Sequence, residues 1–230
     1  MLECHCHLLP GVDDGAPDLA TALALLTDLA GMGITEVVLT PHRGSTRVPV
    51  DVEAIAPAYA SLLEAAAQTP ATDALRLHLG AENHLSGVAD PTRWAAEAIP
   101  LGDSNVVLIE LPDDHLPANT WEVVFAVQRR GKRPLLAHPE RCKGLAASDP
   151  GLARYVQSGG LLQLTVGHVI GAHGWRMRWR ANRLRSRFSK SCILASDTHD
   201  RGPRRPRWDA LAPDLHQHWP KDLKQLHAWI

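Results

Sequence analysis

The sequence is poor in cysteine and in aromatic residues, and it has no long apolar run. It contains only four cysteines, at irregular intervals that do not form a disulfide framework: Cys4, Cys6, Cys142 and Cys192. No segment approaches the roughly 20 apolar residues of a membrane-spanning helix. The amino terminus also lacks the basic and apolar regions of a signal peptide. We therefore expect a cytoplasmic protein with reduced thiols and no membrane insertion.

The chain also lacks a strong net charge, since 24 basic residues nearly balance 25 acidic ones. The charge of -1 gives no general reason to expect nucleic acid as a partner. Hydrophobic residues make up 45% of the chain and charged residues 21%, a composition typical of soluble globular proteins. We predict a single domain over residues 1–230, because strand-helix barrels reach this length. The oligomeric state stays open.

Short β-branched segments alternate with Ala- and Leu-rich segments of helical period. The pattern predicts strands over 2–8, 34–40, 75–81, 105–111, 133–138, 161–165 and 192–196. It predicts helices over 18–31, 53–68, 91–98, 118–130, 149–158 and 174–189. Such alternation favours parallel strands with right-handed crossovers, and no Gly-x-Gly-x-x-Gly turn supports an open dinucleotide-binding sheet. The predicted fold class is α/β, a distorted (β/α)7 TIM-like barrel.

Histidine is abundant, with 13 residues in the chain. His5 and His7 end the first predicted strand, where a two-residue period places both imidazoles on one face and Cys4 and Cys6 on the other. Two histidines alone are more often packed or surface residues than metal ligands. Nearly every later strand, however, also ends in residues that can bind a metal: His42, Glu82, Glu110, His138, Asp197 and His199.

The carboxyl ends of parallel barrel strands open onto one mouth, so these side chains are expected to converge there. Imidazole and carboxylate ligands suit manganese, iron or zinc, and the set is larger than one ion can use. We therefore expect two or three divalent ions. The loop after the first strand adds Asp13 and Asp14, either of which could be a further ligand or cap the next helix.

Four segments carry a family resemblance: HCHLLPGVDDG at 5–15, TPH at 40–42, HPER at 138–141 and ASDTH at 195–199. Together they resemble the polymerase and histidinol phosphatase (PHP) superfamily, over residues 1 to about 206. Within it, the sequence is most similar to bacterial manganese-dependent tyrosine phosphatases of capsular and exopolysaccharide biosynthesis. Glu110 stands where other superfamily members carry histidine, which favours this branch over histidinol phosphate phosphatase.

The resemblance implies a barrel of the PHP type with three ions, expected to be manganese, with iron, cobalt or zinc as alternatives. The first ion would be held by His5, His7, Glu82 and Asp197, and Glu82 would bridge to a second ion bound by Glu110 and His138. The third would take Asp14, His42 and His199.

A water molecule that bridges two divalent ions loses its proton near neutral pH and can attack phosphorus directly. A guanidinium matches two phosphate oxygens, and Arg141 next to the HPE segment suits that role, with Arg205 as its partner and Arg204 as the alternative. No cysteine is followed six residues later by arginine, which excludes the cysteine-dependent phosphatase loop.

The resemblance implies hydrolysis of phosphotyrosine on a protein, expected to be a bacterial tyrosine kinase. A small-molecule phosphatase or nucleotide phosphoesterase of the histidinol-phosphatase type is the alternative, followed by a metal-binding, non-catalytic PHP module. Segment 175–190 carries seven basic residues and no acidic one. It is either a solvated helix face or a docking surface for an anionic partner such as a phosphorylated kinase tail, with nucleic acid as a third possibility.

Overall fold

The structure, a computed structural model, describes residues 1–85 and 87–211. Residues 212–230, the end of the domain predicted over 1–230, lie outside the described residues. All strand pairings are parallel and strands alternate with helices, so the predicted α/β class is confirmed. The strands are β1 (Leu2–Cys6), β2 (Glu36–Leu39), β3 (His42–Arg43), β4 (Arg76–Leu79), β5 (Glu82–His84), β6 (Val106–Glu110), β7 (Arg133–Ala137), β8 (Leu161–Thr165) and β9 (Cys192–Ala195).

These strands form two sheets, in the orders β1-β2-β4 and β3-β5-β6-β7-β8-β9, where the sequence predicted a single ring of seven. The second and third predicted strands are each interrupted, at 40–41 and 80–81, and resume as β3 and β5. Pro41 has no N–H to donate, so a regular ladder cannot pass through it. The backbone N–H of Glu82 nevertheless donates to the Pro41 carbonyl at 3.0 Å, so the interrupted strands stay side by side.

The first and last strands meet at their carboxyl ends. The backbone N–H of Asp197 donates to the carbonyl of His5 at 3.0 Å, and that of His7 donates to the carbonyl of Thr198 at 2.8 Å. These bonds place segment 5–7 directly against segment 197–199.

Both faces of most strands are buried. Along β6, Val106 and Leu108 belong to one apolar cluster, whereas Val107 and Ile109 belong to a second cluster that includes helix residues such as Leu25. Parallel strands covered on both faces are apolar at nearly every position. This explains why the strands appear in the sequence as continuous apolar runs.

The helices are α1 (Leu19–Gly31), α2 (Val52–Ala67), α3 (Pro91–Glu97), α4 (Thr120–Arg129), α5 (Pro150–Gln157), α6 (Val166–Ile170) and α7 (Trp175–Arg187). Four of them begin where an aspartate side chain accepts a hydrogen bond from the first turn: Asp18, Asp51, Asp90 and Asp149. The short α6 was not predicted, because five residues are too few to show a helical period. No helix within 1–85 and 87–211 is long and apolar enough to cross a bilayer.

Strand β1 departs from regular alternation, because its register against β2 shifts near its middle. Cys4 therefore packs in one apolar cluster and Cys6 in the other, although the alternation predicted a shared face. The shift leaves His5 and His7 together, with their Nε2 atoms 3.2 Å apart.

Candidate active site

The nine residues predicted as metal ligands lie together at the strand ends. Their donor atoms form four groups, and within each group these atoms lie within 4.8 Å of one another. The groups are His7, Asp14, His42 and His199; His5, Glu82 and His138; His5, His7 and Asp197; and His42, Glu82 and Glu110. Because the groups share members, they form one connected set, which we call the ligand cluster.

The grouping differs in detail from the one that the resemblance implies. His7 lies near the Asp14 group as well as near Asp197. His42 Nδ1 lies 2.9 Å from Glu82 Oε2 and 3.7 Å from Glu110 Oε2, although the resemblance placed His42 on a different ion from Glu82 and Glu110. The convergence of the nine residues is observed, whereas the assignment of each side chain to an ion stays a prediction.

The backbone at two of these residues is strained. Within the described ranges, His138 (φ 27°) and Asp197 (φ 54°) are the only non-glycine residues with positive φ. L-residues rarely adopt this conformation, which costs about 1–3 kcal/mol and is concentrated at functional sites. His138 comes directly after β7, where the turn leaves its Nε2 atom 2.9 Å from Glu82 Oε1.

The neighbouring Asp13 and Asp14 occupy different positions. Asp14 Oδ1 lies 3.2 Å from His42 Nε2 and 3.4 Å from His199 Nε2, so this carboxylate is part of the ligand cluster. Asp13 Oδ2 lies 2.7 Å from His7 Nδ1, on the side of the ring away from the cluster. The same oxygen accepts a hydrogen bond from the backbone N–H of His42. Asp13 therefore orients a candidate ligand from behind.

Two further residues support this arrangement. Gln163 Oε1 lies 2.9 Å from His5 Nδ1 and accepts the backbone N–H of His138 at 3.2 Å, so it fixes two candidate ligands. Gly15 lets the aspartate loop pack closely, because a Cβ atom there would collide with the His7 carbonyl oxygen. Gln163 was not predicted from the sequence, since an isolated glutamine within a strand belongs to no motif.

Several polar atoms of the ligand cluster are buried without a hydrogen-bond partner among residues 1–85 and 87–211. His42 Nδ1 and Glu82 Oε2 are 2.9 Å apart, yet they form no hydrogen bond, and neither atom has a hydrogen bond elsewhere in these ranges. Glu110 Oε2 is also buried and unpartnered. Burying such atoms costs free energy of folding unless a hydrogen bond or a bound ion compensates. An imidazole nitrogen and two carboxylate oxygens so close together form a donor set that suits divalent transition metals.

The pKa values of two residues in the ligand cluster also indicate a site for cations. Burial and the nearby Glu82 charge raise the pKa of Glu110 to about 8. Burial alone would lower the pKa of His42, but the close Asp14 and Glu82 carboxylates outweigh it and raise this pKa to about 9. Without cations, both groups therefore hold protons at neutral pH.

These pKa values predict that metal uptake releases protons. Glu110 and His42 must lose their protons to become ligands, so the affinity for Mn²⁺ should rise between about pH 6 and about pH 9. Calorimetric titration of metal-free protein in buffers of different ionisation enthalpy should show roughly one to two protons released near pH 7. An affinity that does not vary with pH would contradict the prediction.

Comparison with known proteins identifies the family. The family described as capsular polysaccharide synthesis, CpsB/CapC, matches residues 1–226. The chain belongs to the CpsB/CapC family. This confirms the sequence resemblance to the phosphatases of capsule biosynthesis at the family level.

CpsB/CapC relatives carry the names of phosphatases. Tyrosine-protein phosphatase YwqE of Bacillus subtilis is 28% identical over 202 residues, which are 87% of this chain and 78% of the relative. Tyrosine-protein phosphatase CpsB of Streptococcus pneumoniae is 25% identical over 210 residues, 90% of this chain and 86% of the relative. A solved structure from a study of YwqE and CpsB, described there as unique metal-dependent tyrosine phosphatases, matches with a TM-score of 0.80. It is 27% identical and covers 97% of this chain and 89% of the solved one.

In this CpsB/CapC protein, Arg141 lies at the edge of the ligand cluster. Its Nε and Nη2 atoms each donate to the Asp113 carboxylate at 3.0 Å, and its Nη1 atom lies 3.6 Å from Asp197 Oδ2. Asp113 thus fixes one edge of the guanidinium and leaves Nη1 facing the cluster. Asp113 was not predicted, and neither was Arg47, whose Nη1 atom lies 3.6 Å from Asp113 Oδ2.

The two neighbouring arginines of the last loop point to different places. Arg204 Nη1 donates to Asp14 Oδ2 at 3.0 Å, so Arg204 reaches the ligand cluster. Arg205 Nη1 donates to the Pro206 carbonyl at 3.3 Å and lies 3.6 Å from Asp209 Oδ2. The phosphate-binding role predicted for Arg205 stays a prediction, and the position of Arg204 favours the alternative.

The basic segment forms α7, and its arginines are not equivalent. Arg180 is half-buried and donates to the carbonyl oxygens of Glu140, Cys142 and Leu145. It therefore ties α7 to the loop that carries Arg141. The exposed face instead presents Trp175, which is 73% exposed, and Trp179, which is 57% exposed, together with other arginines. The docking surface proposed for this segment can include Arg183 but not Arg180.

The buried cysteines predict a simple control. Burial, with the nearby Glu3 charge, raises the pKa of the Cys6 thiol well above its usual value, so the nucleophilic thiolate is disfavoured. The thiol donates to the Val38 carbonyl, which a serine hydroxyl can also do. Cys6→Ser should therefore retain its metal and its turnover of 4-nitrophenyl phosphate within about twofold. Loss of turnover with metal retained would mean that the thiol takes part in the reaction.

Proposed function

We propose that this CpsB/CapC protein is a metal-dependent phosphatase that hydrolyses phosphotyrosine on proteins. The observation that carries the proposal is the ligand cluster with two arginines, Arg141 and Arg204, at its edge. The names of YwqE and CpsB support the choice of phosphotyrosine over other phosphate esters. The family's role in capsular polysaccharide synthesis supports a cytoplasmic bacterial tyrosine kinase as the partner protein.

We propose that the ligand cluster binds two or three divalent ions, with manganese the expected metal and iron, cobalt or zinc as alternatives. Cations held there would acidify a water molecule and neutralise the charge of the phosphoryl group. The candidate ligands are the nine residues of the ligand cluster, and Asp13 and Gln163 hold the imidazoles of His7 and His5 in place.

The chain's own residues would bind and orient the phosphoryl group. A cleft of about 190 Å³ opens over the ligand cluster, between Arg47, His84, Asp113, Arg141 and Arg204. Because Asp113 holds one edge of Arg141, the remaining Nη1 atom is positioned to donate to a phosphate oxygen. The tyrosine leaving group has a pKa near 10, well below that of an aliphatic alcohol, so its departure needs little protonation.

The test compares substrates on manganese-loaded protein. A phosphotyrosine peptide, the same peptide with phosphoserine, histidinol phosphate and a short oligonucleotide are assayed side by side. The proposal expects the highest kcat/KM for the phosphotyrosine peptide. Faster hydrolysis of histidinol phosphate or of the oligonucleotide would favour the alternative phosphoesterase, and metal binding without turnover would favour the non-catalytic module.

A further inference from the structure

A second pocket lies beside the cleft over the ligand cluster. It encloses about 180 Å³ and shares Arg141, Asp197 and Arg204 with that cleft. Its remaining walls come from the start of α6, from the segment between α6 and α7, and from the loop after β9. A ligand in the cleft would therefore have this pocket as its immediate neighbour.

The lining of the second pocket is strongly basic. It consists mainly of four arginines and two histidines: Arg141, Arg204, Arg205, Arg207, His168 and His173. Asp197 is the one carboxylate that the pocket presents within the described part of the chain, and it is a candidate metal ligand. Glu140 lies beneath the floor, where His168 Nδ1 and the Thr165 N–H already contact it at 2.8 and 2.9 Å. Arg141, Arg204 and Arg205 each lie within 3.6 Å of a carboxylate outside the pocket lining, namely Asp113, Asp14 and Asp209. Arg207 has no ion pair among the described residues, so its charge is the one left to attract an anion.

Two polar atoms at this pocket have no partner among the described residues. The hydroxyl of Thr165, a residue only 2% exposed that lines the pocket, makes no hydrogen bond. Arg207 Nε is also buried and unpartnered, although Nη2 of the same side chain donates to the Pro203 carbonyl at 3.2 Å. A hydroxyl and a guanidinium N–H are both donors that an anionic oxygen accepts from.

The pocket depends on a glycine. A Cβ atom at Gly167 would lie 2.8 Å from His173 Cε1, so a side chain there would displace the His173 ring, whereas its 3.6 Å distance from Arg207 Cδ is an ordinary contact. His173 is held from the other side, where its Nε2 atom lies 3.2 Å from the Pro203 carbonyl oxygen. The walls are therefore shaped before any ligand arrives.

We propose that this pocket binds a second negatively charged group of the substrate, a phosphate or a carboxylate on a residue close to the phosphotyrosine. The proposal rests on the proposed function, since it names the substrate class of the same site. The cleft and the pocket share walls, and an extended chain advances about 3.3–3.6 Å per residue, so the second group should lie within one or two residues.

The test uses manganese-loaded protein and peptides that differ only beside the phosphotyrosine, where they carry alanine, aspartate or a second phosphotyrosine. For wild type, the anionic neighbour should raise kcat/KM about tenfold, mainly through KM. Arg207→Gln should remove most of this preference while changing turnover of 4-nitrophenyl phosphate much less. Gly167→Ala, which narrows the pocket without changing its charge, should also reduce the preference for the anionic neighbour. Comparing aspartate with phosphotyrosine separates a carboxylate site from a phosphate site.

Arg93→Gln is the matched control, because Arg93 is exposed and its ion pair within the described residues is with Glu97 on α3. Equal preferences in wild type and Arg207→Gln, or equal losses in Arg207→Gln and Arg93→Gln, would overturn the proposal. Loss of the preference in Arg183→Gln instead would move the anion site to α7. If no phosphotyrosine substrate is hydrolysed, the proposed function fails. The dissociation constants of the same peptides still test the pocket, since an anionic neighbour must tighten binding to wild type but not to Arg207→Gln.

Discussion

Asp197→Ala should abolish hydrolysis and lower the amount of bound metal. The Asp197 Oδ1 atom lies 3.5 Å from His5 Nε2, 3.7 Å from His7 Nε2 and 3.6 Å from His199 Nδ1. Burial alone would raise its pKa, but the surrounding histidines hold the pKa of Asp197 well below its usual value, so the carboxylate is ionised and ready to bind a cation. Losing only the support behind a ligand costs about 10–100-fold, so losing the ligand itself should cost at least about a thousandfold in kcat.

The measurement pairs elemental analysis of the dialysed protein with turnover of 4-nitrophenyl phosphate, and circular dichroism checks that the variant folds. His42→Ala should behave in the same way, because its imidazole belongs to two of the four donor groups. Asp73→Ala is the control, since this aspartate is exposed and distant from the strand ends that carry the cluster. Wild-type turnover in Asp197→Ala would remove the ligand cluster from the mechanism.

Arg141→Ala should lower kcat/KM by about 10²–10³, the usual cost of losing one donor to a developing negative charge. Arg141→Lys should recover little, because a lysine keeps the charge but cannot form the paired bonds to Asp113 that direct Nη1 toward the cluster. Metal content should not change in either variant, which distinguishes them from Asp197→Ala.

Asp113→Asn tests whether the orientation of Arg141 matters. This variant keeps the guanidinium and weakens its support, so the expected loss is about tenfold. Arg180→Ala should have a similar effect, because it removes the hydrogen bonds that Arg180 donates to carbonyl oxygens of the loop that carries Arg141. Full activity in Arg141→Ala would shift the phosphate-binding role to Arg204.

The candidate site could be predicted because each of its residues lies in a short segment that the sequence alone identifies. Each candidate ligand stands at a strand end or in the first loop, and parallel strands bring such positions to one edge whatever the details of the helices. His5 and His7 remained together even though β1 shifts register. The α/β class could likewise be predicted, because strand-like segments alternate with segments of helical period along the sequence.

What the sequence missed depends on contacts between distant segments. Asp113 and Gln163 belong to no motif, and only the folded chain shows that they support Arg141 and His5. The sequence predicted a solvated or docking helix face for the basic segment, yet Arg180 packs against a loop, because the count of basic residues does not tell which of them face inward. The choice between Arg204 and Arg205 likewise depends on how the last loop turns.

The contact between β1 and the segment after β9 also sets the order of events during synthesis. His5 and His7 leave the ribosome well before Asp197 and His199, because most of the described chain lies between them. A nascent chain therefore has an incomplete donor set throughout elongation and would hold cations weakly. Cations held as proposed would therefore bind late, after the last strand has docked against the first.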